Sequence, residues 1–287
     1  MLIPDARRSL FGGLIDHAVM LRRPAPDLEA AVADYRRLRS GPGGWMIGRF
    51  VVRSSRLEDL AGCLVRTMSM GEMPWSISVV FDTGPGRDAA SAAAVHALLD
   101  PAASIDIVQV ALPPDGADDP EQIDRAVAGT GAVHEGTVAM VRLPVGAATA
   151  PARALAAVGT RHIRRVGVTL VASDPSPSAA ALMPQLASIA DAGLPFTIES
   201  DTVPIVTDRA SGAAGILNLV MAAGLLGRAD ATEILTAADP AAFEVGFGGV
   251  RWDGHAERAE DRGLLVAVAS REPEGTLDDL RIAVGRG

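Results

Sequence analysis

Short apolar runs alternate with helix-period segments from one end of the chain to the other. The apolar runs are LIDHAV (14–19), MIGRFVV (46–52), SISVVFD (76–82), IDIVQVAL (105–112), TVAMVRL (137–143), VGVTLVA (166–172), PFTIES (195–200) and LLVAVAS (264–270). Between them, stretches such as DLEAAVADYRRLRS (27–40), SRLEDLAGCLVRTM (55–68), RDAASAAAVHALL (87–99), EQIDRAVAGT (121–130), APARALAAVG (150–159) and SAAALMPQLASIADAG (178–193) carry apolar residues at three- and four-residue spacing. A segment over 212–238 reads as two helices broken near Gly227, and TLDDLRIAV (276–284) as a last helix. Strand followed by helix, repeated, predicts parallel strands joined by crossover helices. Runs this apolar and β-branched predict strands buried on both faces. The repeat number and the length predict one domain over 1–287, a closed (β/α)8 TIM-type barrel. A doubly wound open sheet is the alternative, weakened because no G-x-G-x-x-G follows the first strand.

Alternation inside the seventh run then points to chemistry. In PFTIESDT (195–202), Phe196 and Ile198 have one parity, and Thr197, Glu199 and Asp201 the other. On a barrel strand the second set faces inward, toward the carboxyl-end mouth where barrel enzymes place their reacting groups. Glu199 and Asp201 are therefore candidate catalytic acids. Glu199, deeper, is expected to be desolvated and its carboxyl pKa raised, so that Glu199→Gln would leave thermal stability unchanged or higher. Asp201 is expected to stay ionised. Other strand ends add Asp16 and His17, Arg49 and Arg53, Asp82 with Ser76 and Ser78, Arg142, Ser173 and Asp174, and Ser270 with Arg271. From these, Asp16 is a third catalytic candidate. Arg49, Arg142, Asp82 and Ser270 are candidate substrate-binding residues, the arginines clamping a carboxylate or phosphate. Each has a structural reading beside it: charges at strand ends cap helices or pair with one another, Asp82 precedes a Thr-Gly-Pro-Gly turn, and His17 fits a core position.

Composition narrows the options. Hydrophobic residues make up 48% of the chain but aromatics only 3%, so the core is aliphatic. The net charge of −9 argues against a nucleic-acid partner. The longest apolar stretch, GILNLVMAAGLLG (215–227), falls short of the roughly 18–20 residues a membrane-spanning helix needs. Cys63 alone excludes an intrachain disulfide, and a cytoplasmic location follows as the default. All 26 basic residues are arginine; there is no lysine. Side-chain Schiff-base chemistry and an internal aldimine with pyridoxal phosphate are excluded, and no cofactor is called for. No H-x-H, H-E-x-x-H or cysteine pair signals a metal, although Asp16, Asp82, Glu199 and Asp201 could supply oxygen ligands if they met.

SLFGGLIDHAVMLRRPAP (9–26) resembles the opening of an uncharacterised bacterial, mostly actinobacterial-type family in which this segment reads roughly LFGGLIDYAGLFPPA. The likeness continues at WMIGRFVVRSSRLEDLA (45–61), DAGLPFT, GILNLVMAAGLL and DPAAFEVGFGGVRW. The resemblance implies a shared fold, and it marks Asp16, Arg49 and Asn218 as matches to the family pattern, which makes Asn218 a further candidate binding residue. The departures are chemical. Where the family resembles lysine-bearing Schiff-base barrels on its sixth and seventh strands, this chain has Thr169 and Thr197; Val171 replaces an arginine, Ala214 a histidine and Val268 a cysteine. These readings lead to a lysine-independent lyase, isomerase or cyclase acting on a small polar, anionic metabolite by carboxylate acid–base catalysis. The alternatives are a non-catalytic barrel that binds a ligand, another copy of itself or an active related barrel, and a carboxylate-metal hydrolase.

Overall fold

The computed structural model describes residues 5–112, 119–130, 133–146, 152, 155–158, 165–172, 177–225, 231–252, 258–259 and 261–285. Eight parallel strands close into a barrel in the order β1-β11-β7-β6-β5-β4-β3-β2. They are β1 (Ile15–His17), β2 (Ile47–Arg53), β3 (Trp75–Val80), β4 (Ala103–Ala111), β5 (Val138–Pro144), β6 (Val166–Val171), β7 (Phe196–Ser200) and β11 (Leu265–Ser270). All eight coincide with the apolar runs of the sequence, and the open-sheet alternative is not adopted. The helices Leu28–Ser40, Leu57–Thr67, Pro85–Leu99, Pro120–Gly129, Ala179–Ala192 and Pro273–Gly285 follow their expected segments. The segment over 212–238 is two helices, Ile216–Gly224 and Ala231–Thr236. Of the helix expected over 150–159, Ala152, Leu155 and Val158 are described and buried. Ser173, Asp174, His162 and His255 lie outside the described residues.

Local chemistry explains the punctuation. Asp27 accepts the backbone N–H of Ala30 at the start of one helix, and Ser178 that of Ala181 at another. Asp88 accepts the amides of Thr83 and Gly84 and pins the turn after β3. Cys63 is buried within its helix, as a small core residue should be. Three of the ten aromatic residues cluster. Tyr35, Phe50 and Trp75 pack with the His17 ring between the first three strands and the Leu28–Ser40 helix.

One element has no counterpart in the expected pattern. Strands β8 (Phe243–Gly246), β9 (Gly249–Trp252) and β10 (Arg258–Ala259) form a small antiparallel sheet before the last barrel strand. Its hairpin turns through Phe247 and Gly248, with Gly249 at φ +114°, a conformation that favours glycine. The carbonyl of Phe247 accepts the Ala6 N–H at 3.0 Å, so the hairpin holds the short N-terminal helix Ala6–Phe11.

Strand register fixes both facing and height inside the barrel. Glu199 on β7 is level in hydrogen bonding with Val171 on β6 and Ala269 on β11, and Ala269 with Asp16 on β1. These positions face inward; Phe196 and Ile198 face the helices. Because barrel strands tilt, each step along such a line also descends toward the amino-terminal end. Glu199 is near the carboxyl mouth, Asp16 lies lower, and Arg49 lower still.

Candidate active site

The mouth is built around Glu199. Arg142, two residues before the end of β5, donates from Nη1 to Glu199 Oε2 at 2.6 Å and to Gln109 Oε1, on β4, at 2.6 Å. Gln109 donates in turn to Ser78 Oγ on β3 at 2.9 Å. From the other side Arg271, just past β11, donates from Nη2 to Glu199 Oε1 at 3.0 Å and from Nη1 to Asp201 Oδ1 at 2.8 Å. One carboxylate thus holds two guanidiniums, and one guanidinium holds two carboxylates. Glu199 has a side chain only 2% exposed, whereas Asp201 is 32% exposed and, among the described residues, pairs with Arg271 alone. Ala18, Leu21, Val51, Val80 and Ala269, on or just after β1, β2, β3 and β11, form a separate apolar cluster.

The electrostatics correct the expected role of Glu199. Burial does push its carboxyl upward, but the charges and hydrogen bonds of Arg142 and Arg271 outweigh burial and hold the pKa below the ordinary value of 4.5. Glu199 is therefore an ionised anchor for arginines rather than a proton donor. Arg271 is raised: burial alone would lower it, and Glu199 and Asp201 more than compensate.

Just beneath, Thr197 donates to Thr169 Oγ1 at 2.9 Å, and both are buried. The two hydroxyls thus bond each other inside the barrel.

Other sequence candidates lie elsewhere. Asp16 and Arg49 form a buried pair in the lower barrel: Asp16 accepts the Arg49 backbone N–H at 2.7 Å and Nη1 at 3.0 and 3.2 Å. Burial pushes Asp16 above the usual carboxylate range against the pull of Arg49. This pair does not face the mouth. Asp82 accepts from Ser54 Oγ, Ser55 N and Ser55 Oγ, which ties β3 to the turn after β2. Ser270 bonds the Asp201 carbonyl, Thr276 and the Glu272 amide at the start of the last helix. Asn218 accepts the Thr207 N–H and donates to the carbonyls of Ile234 and Ala237, a fully buried brace between two helices. His17 faces the helix layer and bonds Asp34 Oδ2 at 2.9 Å instead of a backbone group. The four carboxylates considered as oxygen ligands do not converge: Asp16, Asp82 and the Glu199–Asp201 pair have separate partners. Among the described residues no three metal-ligating side chains cluster. Gln109 is the member of the mouth network that the sequence reading passed over. Its signal was a single polar residue of inward parity within IDIVQVAL.

Fold and mouth define a (β/α)8 barrel whose carboxyl end carries a buried arginine–carboxylate network. Among solved structures the chain is similar to a tetrameric deoxyribose phosphate aldolase from Aeropyrum pernix, with a TM-score of 0.51 and 11% identity over 96% of this chain and 97% of that one. It is also similar to QR15, an aldolase, with a TM-score of 0.42 and 8% identity over 69% of this chain and 83% of that one. At such identity the former establishes the barrel fold. No protein-family model matches the chain, and no curated protein does. No helix among the described residues is long and apolar enough to cross a membrane.

Proposed function

We propose that the mouth binds a small metabolite bearing a carboxylate or phosphate and that the protein acts on it as a lysine-independent lyase or isomerase. The observation that carries this reading is the double clamp on Glu199. It holds the Arg142 and Arg271 guanidiniums on either side of a desolvated carboxylate, and preorganised cations in such surroundings stabilise a ligand anion or a developing oxyanion most strongly. Both bonds of Arg142 run through Nη1, and Arg271 Nε is buried without a partner, so donors remain for a ligand. Asp201, partly exposed at the rim, takes the proton-moving role first considered for Glu199. It would remove a proton next to a carbonyl while the arginines hold the resulting enolate oxygen.

The non-catalytic alternative has two specific observations in its favour: both Glu199 oxygens are taken by arginines, and the Thr197 hydroxyl is bonded to that of Thr169. Two measurements separate the readings. Calorimetric titration with pyruvate and with inorganic phosphate tests binding, and an Arg271→Ala variant should weaken it by about tenfold or more. Deuterium uptake from solvent at the acidic carbon of a bound carbonyl acid, followed by NMR, tests proton removal and should vanish in Asp201→Asn. Binding without deuterium uptake or turnover selects the non-catalytic reading. No binding of any anion overturns both.

A further inference from the structure

At the opposite end of the barrel is a cavity of about 1050 Å3. Its walls come from strand beginnings, including Ile107, Val138, Met140 and Val166, and its charged groups are Arg49, Arg165 and Asp106. In barrels of this class the lumen is a packed core and the amino-terminal face serves stability, so a void there needs a cause. Gly167 faces inward, and a Cβ on it would come within 2.4 Å of the Pro195 carbonyl oxygen and 2.5 Å of the Met140 sulfur, so the barrel is closely packed there. Met140, an adaptable side chain, also lines the open space beside it.

We infer that this lower cavity is a second ligand site, separate from the mouth, which takes a small carboxylic acid with an aliphatic or aromatic body. Volume and lining match the dimensions of small-molecule sites, mostly apolar with a few fixed polar groups. The charge points to an anion. Arg49 and Arg165 line the cavity, and Arg262 is buried close enough that Arg49 lowers its pKa, second only to burial. Among the described residues, the carboxylates of Asp16 and Asp106 stand against these three guanidiniums, an excess of one positive charge. Asp16 takes Nη1 of Arg49, while Nε of Arg49 is buried with no hydrogen-bond partner. A ligand carboxylate supplies both the missing charge and the missing acceptor, and its hydrocarbon part covers the valine, isoleucine and methionine walls.

Hexanoate and hexanol titrated into the full chain, followed by calorimetry, test the inference. Hexanoate should bind, and hexanol, which lacks the charge, should bind at least about tenfold more weakly. Met140→Trp, which fills the cavity, should abolish the hexanoate binding that survives in Arg271→Ala. Arg49→Lys, which keeps the charge beside Asp16 but removes Nε, should weaken it by about tenfold and remains decisive if Met140→Trp fails to fold. Arg271→Ala should leave hexanoate binding intact, which distinguishes this site from the mouth. The inference is overturned if the native protein does not bind hexanoate, if hexanol binds equally well, if both cavity variants bind as the native protein does, or if binding disappears in Arg271→Ala.

Discussion

At the scale of single residues, Glu199 has the most at stake. Its carboxylate is desolvated and held only because two guanidiniums meet it, so removing the charge strands two buried cations side by side. Breaking a buried ion pair by deleting one partner costs about 3–5 kcal/mol. Glu199→Gln retains the shape and some hydrogen bonding, and we expect a loss of about 3 kcal/mol, read as a lower urea midpoint at neutral pH. This reverses the expectation that follows from burial alone. The sign in pH follows as well. A carboxyl held below 4.5 in the folded state contributes stability above that value and loses it as the pH falls through its depressed pKa. An unchanged or higher midpoint in Glu199→Gln would mean that the arginines do not depend on it.

At the scale of elements, β1 is fastened to the Leu28–Ser40 helix by a side-chain bond that the sequence does not announce. His17 on the strand meets Asp34 on the helix, and that bond, followed by one from Arg37, draws the Asp34 pKa from 3.8 to about 2. The stability this contributes is complete above 3.8 and disappears as the pH falls toward 2. Urea midpoints measured between about pH 5 and pH 2 should therefore fall less for Asp34→Asn than for the native protein. Equal slopes would remove Asp34 from the acid transition. The same scale explains why Asp82 and Ser270 looked like ligand-binding residues. A polar side chain at an element's end is visible in sequence, whereas the backbone amide or carbonyl that absorbs it belongs to another element.

Across the whole molecule, the barrel was legible because parallel strands buried on both faces leave long aliphatic runs that little else produces. The small sheet at 243–259 left no such trace. Its strands are short, and Gly246, Gly248 and Gly249 interrupt the alternation of Phe243, Glu244 and Val245. For the candidate site, parity along each strand was readable and height along the barrel axis was not. Glu199, Arg142, Asp16 and Arg49 all have the inward parity. Only the strand register and tilt reveal that the first two share the mouth while the second two sit toward the other end. Parity is a property of one strand; height depends on how eight strands close.

The bonded threonines beneath the mouth make the barrel a blank on which amine chemistry could be written. Position 197 is buried, beside a hydroxyl and below two guanidiniums, surroundings that disfavour an ammonium charge and lower a lysine pKa. In a chain with no other lysine, Thr197→Lys would introduce the sole side-chain amine. Treatment with pyruvate and borohydride, followed by peptide mass mapping, should then place a reduced adduct at residue 197, while the native protein shows none on any side chain. An unmodified Lys at that position would mean that the lumen, as now shaped, admits no carbonyl compound to that depth.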